Sequence, residues 1–261
     1  MTSALQIARS GLDALDQKMK AISNNLANVN TTAFKKDRAS FETLMYQSAR
    51  SPGDPSGTAA DYAVGLGTGT GVRVSGSERI HAQGSLTQTD NALDLAIEGS
   101  GFFVVTRADG TTAYTRDGAF KLNAEGQLVM GNGDRLTPGI AIPDGAQQIV
   151  IATDGTVSVT LPGQAAASAV GQVQVARFLN PAGLQPVGGN LYTATTASGG
   201  PQVGAAGADG TGLIRQGSLE ASNVSTVQEL VDMIETQRAY EVNAKVINSA
   251  DEMAKYVAQN I

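Results

Sequence analysis

One histidine and no cysteine are available for metal or acid–base chemistry in this sequence. His81 stands in the alternating stretch Arg79-Ile80-His81-Ala82, with no nucleophile context around it. A metal site would need further His or Cys ligands, and a general base needs a positioned partner. We therefore interpret His81 as a polar residue of a strand, and we expect no metal and no cofactor.

Three carboxylates, Asp90, Asp94 and Glu98, recur every four residues, as acids on one helix face would. Apolar residues alternate between them, however, and this alternation indicates a strand with the three acids on one solvated face. A glycosidase would need two carboxylates placed across a cleft. The sequence does not show such a cleft, so we assign no catalytic residue and expect a protein that is not an enzyme.

Four glycines alternate with other residues in the segment 65–71 and suggest a phosphate-binding loop. The dinucleotide fingerprint G-x-G-x-x-G does not fit, because Thr70 and Val72 occupy the positions of its last glycine. A Gly-Lys-Ser/Thr sequence is also missing. We interpret this segment as a flexible loop without a nucleotide.

The first element that organises the chain is a long N-terminal helix. Ser3 and Gln6 form a capping box in front of it. Its apolar residues recur at alternating spacings of three and four, which is an unbroken heptad seam that needs a partner. The seam consists of Leu5, Ala8, Leu12, Leu15, Met19, Ile22, Leu26 and Val29.

A second long helix is predicted at the C-terminus, behind the capping box of Ser225 and Gln228. Its seam contains Leu230, Met233, Gln237, Tyr240, Ala244, Ile247, Asp251, Ala254, Ala258 and Ile261. A second stripe contains Val227, Val231, Ile234, Val242, Val246, Met253 and Val257. Two stripes are too wide for one neighbour. We expect the terminal helices to form a coiled-coil domain whose apolar seam residues also pack against other copies.

The middle of the chain has apolar residues at a period of two, separated by turn pairs such as Asp109-Gly110 and Asn132-Gly133. Together with the helices, this predicts an α+β fold in which an antiparallel all-β barrel or sandwich-like domain is inserted between the two helices. We predict a helical domain over 1–47 and 215–261, a Gly/Pro-rich linker or extended arm over 48–71, and a β-rich domain over 72–214.

The charge pattern argues against nucleic acid and membrane partners. The net charge is −6, and no run of like charges suggests a membrane surface. No segment approaches the roughly 20 apolar residues of a membrane span. The N-terminus lacks the compact apolar run of a signal peptide, so we expect no cleaved signal.

Several segments resemble the signatures of the bacterial flagellar rod and hook proteins, and they are spread over the whole chain. Glu42-Thr43-Leu44-Met45-Tyr46-Gln47 and the chain length are most similar to the distal-rod members. Ala33 stands where many relatives have glycine, which allows a differently shaped turn before Phe34. The matching segments are 22–35, 84–90, 97–103, 114–120, 216–224 and 233–241.

The resemblance implies a structural subunit that self-assembles into the distal rod, the rigid shaft that transmits torque from motor to hook. The terminal helices would form an inner tube and the β domain would lie outside it. The implied partners are further copies in a helical homopolymer, proximal-rod and hook proteins, the periplasmic and outer-membrane ring proteins, and the flagellar type III export apparatus. The implied location is the basal-body rod that spans the periplasm.

Two alternatives stay open from the sequence. Within the same family, the chain could be a hook or proximal-rod subunit. From a different class, it could be a secreted β-rich carbohydrate-binding protein or hydrolase. Open heptad seams at both ends favour an assembling protein, because an enzyme has little use for them.

Overall fold

A computed structural model describes residues 2–51, 53, 63–163 and 166–259. Within these ranges, the side chains of residues 2–4, 254 and 257–258 are left out of the description. The chain divides into two compact units. The helical unit contains the described residues of Met1–Ala27, Asp37–Arg79 and Ser225–Ile261. The β unit contains those of Asn28–Lys36 and Ile80–Val224. The predicted α+β class is confirmed.

Two long helices frame the helical unit. Helix α1 spans Thr2–Ala27 and contains no proline, and helix α2 spans Thr226–Gln259. The first helix ends two residues before Val29, where the predicted seam ended, and a turn follows in which Thr31 N donates to Asn28 O over 3.1 Å. The second helix starts directly after Ser225, whose carbonyl accepts the first helical hydrogen bond from Glu229 N at 3.0 Å.

Four strands complete the helical unit, and they pair in two antiparallel ladders. Strand β1 (Asp37–Thr43) pairs with β4 (Val72–Arg79), and β2 (Tyr46–Arg50) pairs with β3 (Leu66–Gly69). The segment 48–71, predicted as a linker or arm, thus contributes strand residues at both of its ends. Its residues 52 and 54–62 lie outside the described part of the chain.

One of the glycines in that segment is required by a close approach to α1. Gly71 has a φ of +118°, and a side chain there would clash with Ser10 Oγ. Ser10 Oγ in turn accepts a hydrogen bond from Val72 N at 3.2 Å and donates to Ile7 O at 2.7 Å. The glycine therefore lets β4 begin against the side of α1, which is a packing role rather than a phosphate-binding one.

The β unit consists of short antiparallel strands joined by tight turns and one 3₁₀ turn at Pro181–Gly183. Nine of the strands form its largest sheet, in the order β16-β17-β8-β7-β11-β10-β9, with β15 also pairing with β7 and β18 pairing with β15. The strands are β5 (Leu86–Gln88), β6 (Leu95–Glu98), β7 (Phe102–Thr106), β8 (Thr112–Thr115), β9 (Lys121–Leu122), β10 (Leu128–Val129), β11 (Arg135–Leu136), β12 (Gln148–Ile151), β13 (Thr156–Thr160), β14 (Ser168–Gln172), β15 (Gln174–Arg177), β16 (Gln185–Gly188), β17 (Leu191–Thr193), β18 (Gln202–Ala205), β19 (Leu213–Gln216) and β20 (Ser218–Glu220).

No closed barrel forms among the described residues, so the barrel alternative of the sequence prediction is wrong. The largest sheet has three edge strands: β16, the two-residue strand β9, and β18, which pairs with β15 alone. Pro186 in β16 lacks the N–H that a further strand would need, which makes this strand suited to an edge. The remaining strands of the unit pair in separate small sheets: β12-β13-β14, β6 with β19, and β5 with β20.

Strand β7 is the centre of the β unit because both of its faces are buried. Phe103 and Val105 point into the larger apolar cluster, and Phe102 and Val104 point into a smaller one. This is the period of two expected for a strand, with packed side chains on either side. The two apolar clusters pack the strands together and so fix the positions of the polar residues of the unit.

Candidate functional site

Three charged side chains from distant parts of the sequence meet in a buried cluster of the β unit, which we name the three-motif junction: Lys35, Arg116 and Glu220. Lys35 Nζ donates to Glu220 Oε1 at 2.6 Å, and Arg116 Nη1 donates to Glu220 Oε2 at 3.1 Å. Gly84 N also donates to Glu220 Oε1, at 2.8 Å, and Lys35 Nζ donates to Ala82 O at 2.8 Å. Lys35 and Glu220 are fully buried.

The junction is built so that its charges are hydrogen-bonded as well as paired. Arg116 donates to Gly99 O at 2.5 Å and to Ile97 O at 3.3 Å, and its guanidinium lies 5.6 Å from the centre of the Phe102 ring. Burial lowers the pKa of Lys35, while the attraction and hydrogen bond of Glu220 raise it and the repulsion of Arg116 lowers it further. Such a cluster locks segments together, because breaking a buried pair leaves an uncompensated charge.

Asn223 ties the same segments together through the backbone of the β unit. Its Oδ1 accepts from Lys36 N at 2.7 Å, and its Nδ2 donates to Ile80 O at 2.7 Å and to Ala82 O at 3.0 Å. Lys35, Arg116, Glu220 and Asn223 all lie in segments that the family resemblance had marked. They were not assigned as site residues from the sequence, although buried charges inside such marked segments were the available signal.

The sequence-based interpretation of His81 as a strand residue is wrong, because β4 ends at Arg79. His81 lies instead in an irregular segment, edge-on to Phe102 and Tyr192 with ring centres 5.5 and 5.3 Å away. Edge-to-face ring pairs of this kind stabilise packing. His81 therefore has a packing role in the smaller apolar cluster.

The three acids predicted to share a strand face do not do so. Only Glu98 lies in β6, where it forms an exposed ion pair with Arg215 at 2.6 Å. Asp94 is buried and accepts a hydrogen bond from Thr89 Oγ1 at 2.7 Å, and Asp90 has a left-handed backbone with a φ of 58°. Asp90 and Asp94 thus lie in a turn, because short polar side chains favour turns of this kind.

In the helical unit, the two helices pack antiparallel through a polar contact. Asn25 Nδ2 donates to Glu229 Oε2 at 3.1 Å, and the same side chain is hydrogen-bonded to both backbone groups of Asp37 at 2.8 and 2.9 Å. At the other end, Gly11 faces Asn243, whose amide nitrogen lies 3.6 Å from the position of an added Cβ. These contacts form a polar face of α2 towards α1, beside which Met233, Ala244 and Ile247 are half-buried.

The apolar stripes of α2 flank this polar face and are left exposed. Glu229 and Thr236 are almost fully buried, whereas Val227 is 74%, Val242 60% and Tyr256 70% exposed. Large apolar patches on a folded chain mark surfaces that contact other protein or membrane. Among the side chains of the helix that the structure describes, the large exposed apolar ones are Val227, Leu230, Val231, Ile234, Tyr240, Val242, Val246, Met253 and Tyr256.

The predicted packing residues differ in exposure, and all but Val29 lie in the two helices. Ala8 and Ile22 are buried, and Leu5, Leu12, Leu15, Met19, Leu26, Val29, Met233, Ala244 and Ile247 are half-buried. Leu230 and Tyr240 are exposed, and the side chain of Ala254 lies outside the described residues. Met19 and Tyr240 come together in one groove. The part of these residues in packing subunits stays a prediction.

No three His, Cys, Asp or Glu side chains in the described ranges lie close enough together to hold a metal ion. Within the same ranges, neither helix is apolar enough over a sufficient length to cross a membrane. The chain is thus an α+β protein with a long helix near each end of the sequence, and the exposed stripes of α2 are typical of a surface that contacts further protein.

Comparisons with known proteins narrow this class to a family. Residues 5–35 match the flagella basal body rod protein model, residues 96–159 the flagellar hook protein FlgE/F/G D1 domain, and residues 215–260 the flagellar basal body rod FlgEFG protein C-terminal model. The chain belongs to the flagellar basal-body rod protein family.

Similar relatives match over almost their full length. The flagellar basal-body rod protein FlgG of Buchnera aphidicola subsp. Acyrthosiphon pisum is 48% identical over 259 residues, 99% of this chain and 100% of the relative. FlgG of Agrobacterium fabrum is 45% identical over 261 residues, 99% of each chain. FlgG of Bacillus subtilis is 36% identical over 261 residues, 97% of each chain.

Proposed function

We propose that the chain is a structural subunit that self-assembles into the distal rod of the bacterial flagellum. The observation that carries the proposal is the match to flagellar basal-body rod proteins over almost the full length of both chains. In this role the subunit transmits torque from the motor to the hook, and it has no catalytic step. The large exposed apolar stripes of α2 support assembly, because they need further protein to cover them.

In the proposed rod, the terminal helices of many copies form a coiled-coil inner tube, and the β-rich part lies outside it with a sandwich-like packing. The functional division is an axial domain over 1–47 and 215–261, an arm over 48–71 and an outer domain over 72–214. The apolar seam residues of α1 and α2 pack neighbouring copies together in this tube. The surface of α2 is wide enough for more than one neighbour.

The proposed partners beyond the chain itself are the proximal-rod and hook proteins at the ends of the rod. Ring proteins of the periplasm and outer membrane surround it, and the flagellar type III apparatus exports the subunit. The rod then spans the periplasm as part of the basal body. No nucleic acid and no membrane insertion belong to this function.

Electron microscopy of isolated basal bodies, from the parent bacterium and from a strain without the gene, tests this proposal. We expect the deletion to remove the distal part of the rod, and the reintroduced gene to restore it. Intact rods that lack only hooks would indicate a hook subunit, and loss of the proximal rod alone would indicate a proximal-rod subunit. Unchanged basal bodies would contradict the proposal.

A further inference from the structure

A groove of about 330 Å³ runs between α1 and α2 in the helical unit. It is lined by Asp16 and Met19 from α1 and by Gln237, Tyr240 and Glu241 from α2. Met19 and Tyr240 supply apolar surface, and each helix contributes one carboxylate. Asp16 is held by Lys20 on the same helix at 2.7 Å. A groove between two packed helices has the shape that receives the side chains of a third helix.

A stripe on the outside of α2 has the complementary character. Ile234, Arg238, Val242 and Lys245, which we name the ridge, follow each other at helical spacing and alternate between apolar and cationic side chains. Ile234 and Val242 are large exposed apolar residues. In the described chain, the close ion pairs within the two helices join Lys20 to Asp16 and Lys255 to Asp251, so the cations of the ridge are available for a carboxylate on another molecule.

We propose that the ridge of one copy docks into the groove of a second copy, so that Arg238 and Lys245 approach Asp16 and Glu241 while Ile234 and Val242 cover Met19 and Tyr240. This inference rests on the proposed self-assembly and names the surfaces that would mate in it. The contact joins two different surfaces, and such a heterologous contact repeats into an open fibre unless its rotation closes a ring.

A second copy is the occupant that the charges favour. Groove against groove would bring four carboxylates together, and ridge against ridge would bring four cations together, so a symmetric dimer is disfavoured on both surfaces. Groove against ridge pairs opposite charges and covers apolar surface on both sides. The groove lies between two helices, and α2 itself supplies a helix with the matching stripe.

Two charge-reversed variants of the full chain test the proposal. The groove variant Asp16→Lys/Glu241→Lys has a basic groove and a basic ridge, and the ridge variant Arg238→Glu/Lys245→Glu has an acidic groove and an acidic ridge. Neither can pair with itself, but the ridge of each is complementary to the groove of the other. We expect each variant alone to yield at least tenfold less sedimentable polymer than the parent chain, and an equimolar mixture to recover polymer.

Circular dichroism of each separate variant shows whether the helices still form, and the mixture controls for helix destabilisation, because mixing cannot repair a misfolded monomer. The control variant Glu235→Lys reverses an exposed acid of α2 outside the groove, and it should assemble at least as well as the parent chain. Variants that polymerise like the parent, or folded variants whose mixture forms no polymer, would overturn the proposal. A parent chain that forms no polymer would instead count against self-assembly itself.

Discussion

At the scale of single residues, Glu220 is the side chain on which the β unit depends most. It accepts hydrogen bonds from Lys35 and Arg116 in a site that excludes water. The variant Glu220→Gln leaves two buried cations facing a neutral amide, and we expect it to destabilise the β unit by about 3–5 kcal/mol. Chemical denaturation followed by circular dichroism measures this loss.

Glu98→Gln is the matched control, because it removes a carboxylate of the same type from the exposed pair with Arg215. Exposed pairs contribute about 0–1 kcal/mol, so this variant should unfold almost like the parent. Equal effects of the two variants would show that the three-motif junction adds no more than a surface ion pair does.

Ala33 adopts a left-handed backbone conformation, which a glycine adopts without steric cost. Its φ is 58°, it is fully buried, and its N–H donates to Glu220 O at 2.8 Å. The left-handed backbone costs an alanine about 1–2 kcal/mol. The added chain entropy of a glycine and the loss of a buried methyl group offset most of that cost.

The left-handed backbone and the buried position of Ala33 predict different outcomes for two substitutions. Ala33→Gly should change the free energy of unfolding by less than about 1 kcal/mol, because strain relief and lost burial nearly cancel. Ala33→Val should destabilise by about 2 kcal/mol or more, because a β-branched residue fits neither the left-handed backbone nor the filled space. A tolerated valine in thermal unfolding would show that the turn can change its shape.

Asp117 predicts a pH dependence of the β unit. Burial and the neighbouring charge of Asp94 raise the pKa of Asp117 above its ordinary value of 3.8, against the hydrogen bond from Ala119 N. The folded state therefore holds this proton more tightly than the unfolded state, and the contribution of Asp117 to stability falls as pH rises from 3.8 through its folded pKa.

The variant Asp117→Asn keeps an oxygen acceptor for Ala119 N and removes the titration. We expect the free energy of unfolding of the variant, relative to that of the parent, to be higher at pH 7 than at pH 3.5. The reason is that the parent loses stability when Asp117 ionises, roughly above the ordinary aspartate pKa. Urea denaturation of both proteins at the two pH values measures the difference. A constant difference, or one of the opposite sign, would show that the carboxylate is not penalised by folding.

At the scale of elements, α2 should be the least protected long element of the free chain. Its apolar stripes are exposed to solvent in the free chain, and isolated helices are only marginally stable without packing. We expect fast amide hydrogen exchange in α2 beyond Ala244 and slow exchange in β7, which is buried on both faces. Polymer should slow the exchange of α2 strongly, whereas equal protection of both elements in the free chain would contradict this view.

The helices and most strands could be predicted because their periodicities are local. Several alternating stretches, such as Leu95/Ile97 and Val157/Val159, indeed lie in strands. The face by which α2 meets α1 could not be predicted, since apolar periodicity marks every buried face, including one that another molecule covers. The polar contact of Asn25 with Glu229 has no apolar signal at all.

The three-motif junction could not be predicted from the sequence because its residues are far apart in the chain. Lys35 and Glu220 are separated by 185 positions, and no local pattern links residues so far apart. The predicted barrel is wrong because alternation indicates strands but carries no information on which strand pairs with which. Asp90 and Asp94 lie in a turn and not on the expected strand face. The left-handed backbone of Asp90 and the hydrogen bond from Asn91 Nδ2 to Asp94 Oδ1 belong to this turn.

At the scale of the whole molecule, the buried polar residues of the β unit contrast with the exposed apolar surface of α2. The β unit pairs the buried charges of Lys35, Arg116 and Glu220 and fills an apolar core of its own. In the helical unit, by contrast, nine large apolar side chains among those described for α2 are exposed, the first being Val227 and the last Tyr256. This contrast is what a subunit of a polymer would need, because the surface that joins the copies must be incomplete in the free chain.

The most direct test of self-assembly through the terminal helices is a cryo-electron microscopy map of polymer grown from the purified full chain. The account predicts a filament with α1 and α2 nearest the axis, the exposed stripes of α2 covered by helices of neighbouring copies, and the β unit on the outside. A filament whose axis is lined by the β unit, with the stripes of α2 still facing solvent, would contradict it.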